Sequence, residues 1–170
     1  YQNNYPDVFQ VVDKQNGNYG SCINAALPIA KGKYIKVLDA DDFVNTAGLQ
    51  HLLNVLGEEG PDGGADLIVC DCEEVDPSGE TLRRINFGLD DTGIKTLDEK
   101  PIDSERFSIQ GIVYRTEVLR RMGYRQSEGK SYTDTEWIIE PMVMVGSVRY
   151  LPVVVTCYLV GRAGQTMADE

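Results

Sequence analysis

Apolar positions along this chain follow two periods, and the switch between them marks the elements. Residues 7–14, "DVFQVVDK", are β-branched and aromatic enough to predict a strand. "QNGNYGS" follows as an Asn- and Gly-rich turn, and "SCINAALPIA" predicts a short helix stopped near Pro28 and Gly32. "KYIKVLD" is the next predicted strand. Leu49, Leu52, Leu53 and Leu56 then fall at i, i+3, i+4 and i+7, which predicts one buried helix face, with Gly57 suited to the stop. After the loop "GPDGG", the near-continuous apolar stretch of "ADLIVCDCEEVD" predicts a third strand.

Strand–helix–strand–helix–strand with apolar strands is the pattern of a mostly parallel α/β sheet covered by helices on both faces. Beyond it the regularity fades. "TLRRINFG" predicts an edge strand, and 88–107 is polar and predicts a loop. "FSIQGIVYR" is strand-like and leads into a short helix over "TEVLRRMG", with Thr116 as cap and Gly123 as stop. Residues 133–145 predict a helix, "VRYLPVVVTCYLV" a final strand region, and "GRAGQTMADE" (161–170) a polar, mobile tail.

Composition narrows the class. At 170 residues the chain is expected to form one domain with a real core. A net charge of −11 argues against a nucleic-acid groove or an anionic membrane surface as partner. No apolar run approaches the roughly 20 residues of a membrane-spanning helix. Cys22, Cys70, Cys72 and Cys157 are scattered, which favours reduced thiols and a cytoplasmic location. Cys70 and Cys72 match no usual zinc spacing, and read as small buried hydrophobes.

The chemistry lies in "KYIKVLDADDFV" (33–44), where an apolar run ends in Asp39, Asp41 and Asp42. So much charge at a strand end is costly unless solvated or paired with a cation. An EF-hand loop is excluded, because Val44 stands where Gly is needed and Phe43 where an oxygen ligand is needed. Three readings remain. A hard cation, Mg²⁺ or Mn²⁺, would take one or two of these carboxylates plus substrate phosphates. A haloacid-dehalogenase-like phosphatase would use Asp39 as nucleophile and Asp41 as general acid. The plain reading is a solvated strand end whose Asp42 or Asn45 caps the next helix.

The run "KQNGNYGSCINAALPIAKGKYIKVLDADDFVNTAGLQHLL" resembles the central region of family 2 glycosyltransferases, which have the GT-A fold. The resemblance resumes in "ADLIVCDCEEVDPSG", "GIVYRTEVLRRMG", "SYTDTEW" and "GRAGQTM", in the family's order over nearly the whole chain. It implies an inverting, metal-dependent transferase moving a sugar from a UDP- or GDP-sugar donor to a glycan or lipid-linked acceptor, at the inner face of a bacterial membrane. By resemblance Asp39 lies near the donor ribose, Asp41 ligates the divalent cation, and Asp42 is matched beside it. Asn24 matches a helix Asn on the donor side, whereas Ile23 replaces an Arg common in the family. Asp134 matches the catalytic base. Thr133 and Glu136 also have the spacing of a capping box, which gives Asp134 an alternative role at a helix start. Arg162 and Thr166 match a pair that closes over the donor diphosphate. Tyr132 is a candidate platform for an acceptor sugar, and Trp137 reads as core.

Family members begin with a strand, a helix and a second strand ahead of the segment matched by Val8. The resemblance therefore implies a GT-A domain, residues 1–170, lacking its N-terminal nucleotide-base unit. Such a fragment is expected to bind nucleotide weakly and to self-associate through the open edge of strand 8–13. From another class, it would be an inactive binding or scaffold module.

Overall fold

The structure is a computed structural model that describes residues 1–60, 62–87, 91, 93–96 and 107–162. Its helices are α1 (Asn18–Ala26), α2 (Thr46–Glu58), α3 (Thr116–Met122) and α4 (Asp134–Ile139). Its strands are β1 (Tyr34–Ile35), β2 (Phe43–Val44), β3 (Leu67–Val75), β4 (Thr81–Ile85), β5 (Lys95–Thr96), β6 (Ile112–Arg115) and β7 (Ser147–Leu159). They form one mixed sheet in the order β1-β6-β3-β7-β2, with β4 added to β3 and β5 to β7.

β3 is the central strand, and its apolar composition is the reason. Residues 67–72 are buried, with β6 and β4 along one side and β7 along the other. Two cores flank the sheet. Leu67, Val69, Tyr114 and Trp137 belong to the larger, beneath α1, α3 and α4, while α2 covers Ile68, Cys70 and Val155 with Leu52 and Val55. Burial pushes the Cys70 thiol up to about 12, in keeping with its packing role. β7 carries Pro152 in its interior, and there the register against β3 shifts between Cys70 and Asp71. A proline cannot donate to a ladder, so the strand bulges where it occurs.

Three expectations are corrected. Residues 7–14 form no strand: the chain turns, with Val8 and Phe9 N–H groups donating to Tyr5 O. Val8, Val11 and Val12 are exposed, because a strand needs a ladder partner and no described strand offers one. The sheet is α/β and flanked by helices as expected, but not mostly parallel: among the described residues only β3–β7 is a parallel pair. The helix over 133–145 is shorter, ending at Ile139 and passing into a 3₁₀ segment, Glu140–Met144, that contains Pro141. Most of 88–107 and the tail from 163 lie outside the described residues. No helix among the described residues is long and apolar enough to cross a membrane.

Candidate active site

The carboxylate cluster sits where the segment after β1 meets the C-terminal end of β7. Asp39 to Asp42 form a turn closed by the Asp42 N–H on the Asp39 carbonyl, 3.1 Å. β2 follows at once and pairs with Thr156 and Cys157, which fixes the turn to the sheet. Asn45 is the cap of α2, its Oδ1 accepting from Gly48 N–H at 3.0 Å. Asp42 is therefore released from capping. Its Oδ1 accepts instead from the Leu159 N–H at 3.1 Å, and its Oδ2 is buried and makes no hydrogen bond of ordinary geometry, with the Gln110 side chain as a polar neighbour of the carboxylate.

That burial has an electrostatic cost. Loss of hydration, with Asp39 and Asp41 adding repulsion, raises the Asp42 carboxyl to about 6. Asp39 is pushed up as well, by burial first and then by the charges of Asp41 and Asp134. Lys36 lies on the same segment, its ammonium donating to the Gln110 carbonyl; burial lowers its pKa, and the nearby Asp42 and Asp39 oppose that shift.

A cleft of about 580 Å³ opens over this turn, lined by Tyr19, Asp39, Ser108, Tyr132, Asp134 and Tyr158 among others. Asp39 and Asp134, remote in sequence, thus face one space. The Tyr19 hydroxyl is buried beside Asp39 without closing an ordinary hydrogen bond, and burial with that neighbouring charge holds it strongly protonated. Asp134 is the first residue of α4 and is exposed to the cleft. Tyr132, also exposed, has a left-handed backbone, φ 59°. A non-glycine residue held there is strained, and such strain collects at functional sites.

The capping box expected of Thr133 and Glu136 is not made. Thr133 Oγ1 accepts from Gln126 Nε2 at 2.8 Å, and Glu136 Oε2 accepts from the Ser127 N–H at 2.7 Å. Both side chains are drawn to the 124–129 loop, which outcompetes the local cap. Arg162 Nη2 donates to Asp41 Oδ2 at 3.0 Å, so the segment after β7 returns to the cluster. Thr166 lies outside the described residues. Asn24 does not line the cleft. Its amide donates to Gln126 O and Glu128 Oε1, each at 2.8 Å, and accepts from Gln126 N–H at 2.9 Å. Ile23 and Trp137 are core. Tyr19, Lys36 and Gln126 were missed by the sequence reading. Gln126 lies in the aperiodic "YRQSEGK", which gives no local signal of burial.

A hard cation fits the cluster. Among the described residues no group of three or more ligating side chains converges. Mg²⁺ and Mn²⁺ need fewer, completing their shell with water and substrate phosphate. Asp42, whose buried Oδ2 makes no hydrogen bond of ordinary geometry, and the adjacent Asp41, whose Oδ2 is held by Arg162, are the carboxylates that would supply such ligands.

A mixed sheet with helices on both faces and an acidic turn at a strand end, opening into a cleft, is an arrangement in which α/β domains bind ligands beyond their strand ends. Comparison with known proteins agrees. The family model "Glycosyl transferase family 2" matches residues 1–126, and the chain belongs to that family. It is 38% identical over 58 residues, 34% of its length, to the minor teichoic acid biosynthesis protein GgaB of Bacillus subtilis (strain 168), of which it covers 6%. It is 27% identical over 75 residues, 44% of its length, to the putative glycosyltransferase EpsH of the same organism, of which it covers 20%. Among solved structures, S. aureus TarS 1–349 in complex with UDP-GlcNAc superposes with a TM-score of 0.73 at 18% identity, covering 99% of this chain and 47% of that one. The TarS 1–349 complex with UDP gives 0.69 at 17% identity, over 94% of this chain and 46% of the other. The fold is shared, and this chain spans about half the length of those structures.

Proposed function

We propose that this domain transfers a sugar from a nucleotide-sugar donor to a hydroxyl of a glycan or lipid-linked acceptor, with inversion at the anomeric carbon. The observation that carries the reading is the shared cleft of Asp39 and Asp134. Asp134 removes the proton from the acceptor hydroxyl as its oxygen bonds to the anomeric carbon and the nucleoside diphosphate leaves. Asp39 binds the donor ribose. Asp41 and Asp42 hold a divalent cation, Mn²⁺ or Mg²⁺, which neutralises charge on the leaving diphosphate when bound. Arg162 adds a guanidinium suited to phosphate, and Thr166 belongs to the same segment. Asn24 serves the donor side indirectly, since its amide is taken up by the 124–129 loop.

UDP-GlcNAc in the TarS complex supports a UDP-sugar as donor, and the GgaB relationship supports a bacterial surface polymer such as teichoic acid as the acceptor class. By the same reading the reaction runs on the cytoplasmic side, at the membrane's inner face. Calorimetry with UDP and Mn²⁺, followed by a transfer assay with UDP-GlcNAc, tests the proposal. Mn²⁺-dependent UDP binding that is lost in Asp41→Asn is the expected result; metal-independent binding unaffected by that change would refute the cation site.

A further inference from the structure

Gln126 is uncharged yet only 2% exposed. A buried primary amide is costly unless each of its groups finds a partner, and here each does. Its Nε2 donates to both Thr133 O, 2.6 Å, and Thr133 Oγ1, 2.8 Å. Its Oε1 accepts from the Tyr124 hydroxyl at 3.2 Å. Its backbone N–H and carbonyl are both taken by the Asn24 side chain, at 2.9 and 2.8 Å.

The loop around it is locked to α1 as well. Gly129 N–H donates to Gly17 O at 2.9 Å. Gly20 packs so closely that a Cβ there would stand 2.1 Å from Ser127 O. On the other side, Ser127 N–H reaches Glu136 in the first turn of α4, at 2.7 Å. A continuous set of hydrogen bonds therefore runs from α1, which carries Tyr19 into the cleft, to Thr133, the residue before Asp134.

We propose that Gln126 is a positioning residue for Asp134; the inference rests on the reading of Asp134 as the base. α4 has six residues, too few to hold its own start by helical cooperativity. Its N-terminal side is the strained Tyr132, a conformation that persists only where its surroundings over-determine it. The two bonds from Gln126 to Thr133 supply that constraint. They set where the helix begins and so where the Asp134 carboxylate stands relative to Asp39. Displacement of a catalytic group by about 1 Å costs on the order of a hundredfold in rate.

Gln126→Met keeps the volume and removes the amide. In the enzyme it is expected to lower kcat for transfer about ten- to a hundredfold, with donor KM and UDP affinity unchanged. In an Asp134→Asn background the same substitution should cost nothing further in the residual rate, because its effect passes through the missing carboxylate. Full transfer by Asp134→Asn would remove the base assignment itself. If Asp134→Asn is inactive while folded Gln126→Met keeps its kcat, or if the two penalties add in full, Gln126 has only a structural role and the inference is overturned. Should Gln126→Met not fold, Gln126→Glu decides by the same measurements, since it keeps the volume and the acceptor toward Tyr124 but loses the donor toward Thr133.

Discussion

Arg162 Nη2 rests 3.0 Å from Asp41 Oδ2, so the chain's last described residue holds the carboxylate assigned to the cation. In the proposed roles Arg162 and a cation compete for Asp41. A cation that takes Asp41 through Oδ2 competes with the guanidinium, which in the proposed role turns to the diphosphate.

Arg162→Ala should therefore bind Mn²⁺ more tightly in the absence of nucleotide. Both partners are partly exposed, and such a pair is worth about 0.2–1 kcal/mol, so the gain is at most about fivefold. UDP affinity in the presence of Mn²⁺ should fall. Calorimetric titration of each ligand separates the two effects, and a weaker Mn²⁺ site in the variant would contradict the exchange.

Asp42 sets a pH dependence of stability. Its carboxyl is raised by burial from 3.8 to about 6 in the folded chain. Between those values the folded state binds the proton more tightly than the unfolded state does. The Asp42 contribution therefore falls as pH rises through that window, and is constant above about 6. Asp42→Asn retains an oxygen for the Leu159 N–H and does not titrate. Melting of both proteins from pH 4 to 7 should show the wild type losing ground to the variant up to about pH 6; parallel curves would contradict the assignment.

Gly20 marks where α1 meets the loop of Gln126. The Cβ of an alanine would stand 2.1 Å from a backbone oxygen, so one of the two segments must move. Gly20→Ala should destabilise by about 1–3 kcal/mol and lower transfer more than UDP binding. Thermal melting and a transfer assay check the two parts, and a variant with wild-type melting would show that the contact is loose.

The parts of this fold legible in the sequence are those with strong local pattern. β3 announces itself by an unbroken apolar run, α2 by its leucine spacing with Asn45 ahead of it, although Leu53 is exposed and the helix runs past Gly57 to Glu58, and α3 by Gly123, which adopts φ 65° at the stop. Strand pairing is non-local, and there the reading failed. Val8 to Val12 have strand composition but no strand partner among the described residues, and strand direction is set by which neighbours β3 meets rather than by any strand's own residues. The acidic turn and Asp134 were singled out through resemblance, their roles standing as proposals, and the cleft brings Asp39 and Asp134 together. The capping box was not made, because Thr133 and Glu136 each found a stronger partner in a loop that carries no periodic signal. Gln126 was invisible for the same reason: its burial depends on Asn24 and Thr133, both distant along the chain or across a turn.

The central claim is that Asp134 is the base of the cleft it shares with Asp39. Asp134→Asn keeps size and polarity but cannot accept the proton of the acceptor hydroxyl. Initial rates of sugar transfer from UDP-GlcNAc, with Mn²⁺ and saturating acceptor, are predicted to fall by at least about a hundredfold, with melting temperature and UDP affinity unchanged. Transfer by Asp134→Asn at close to the wild-type rate would contradict the account.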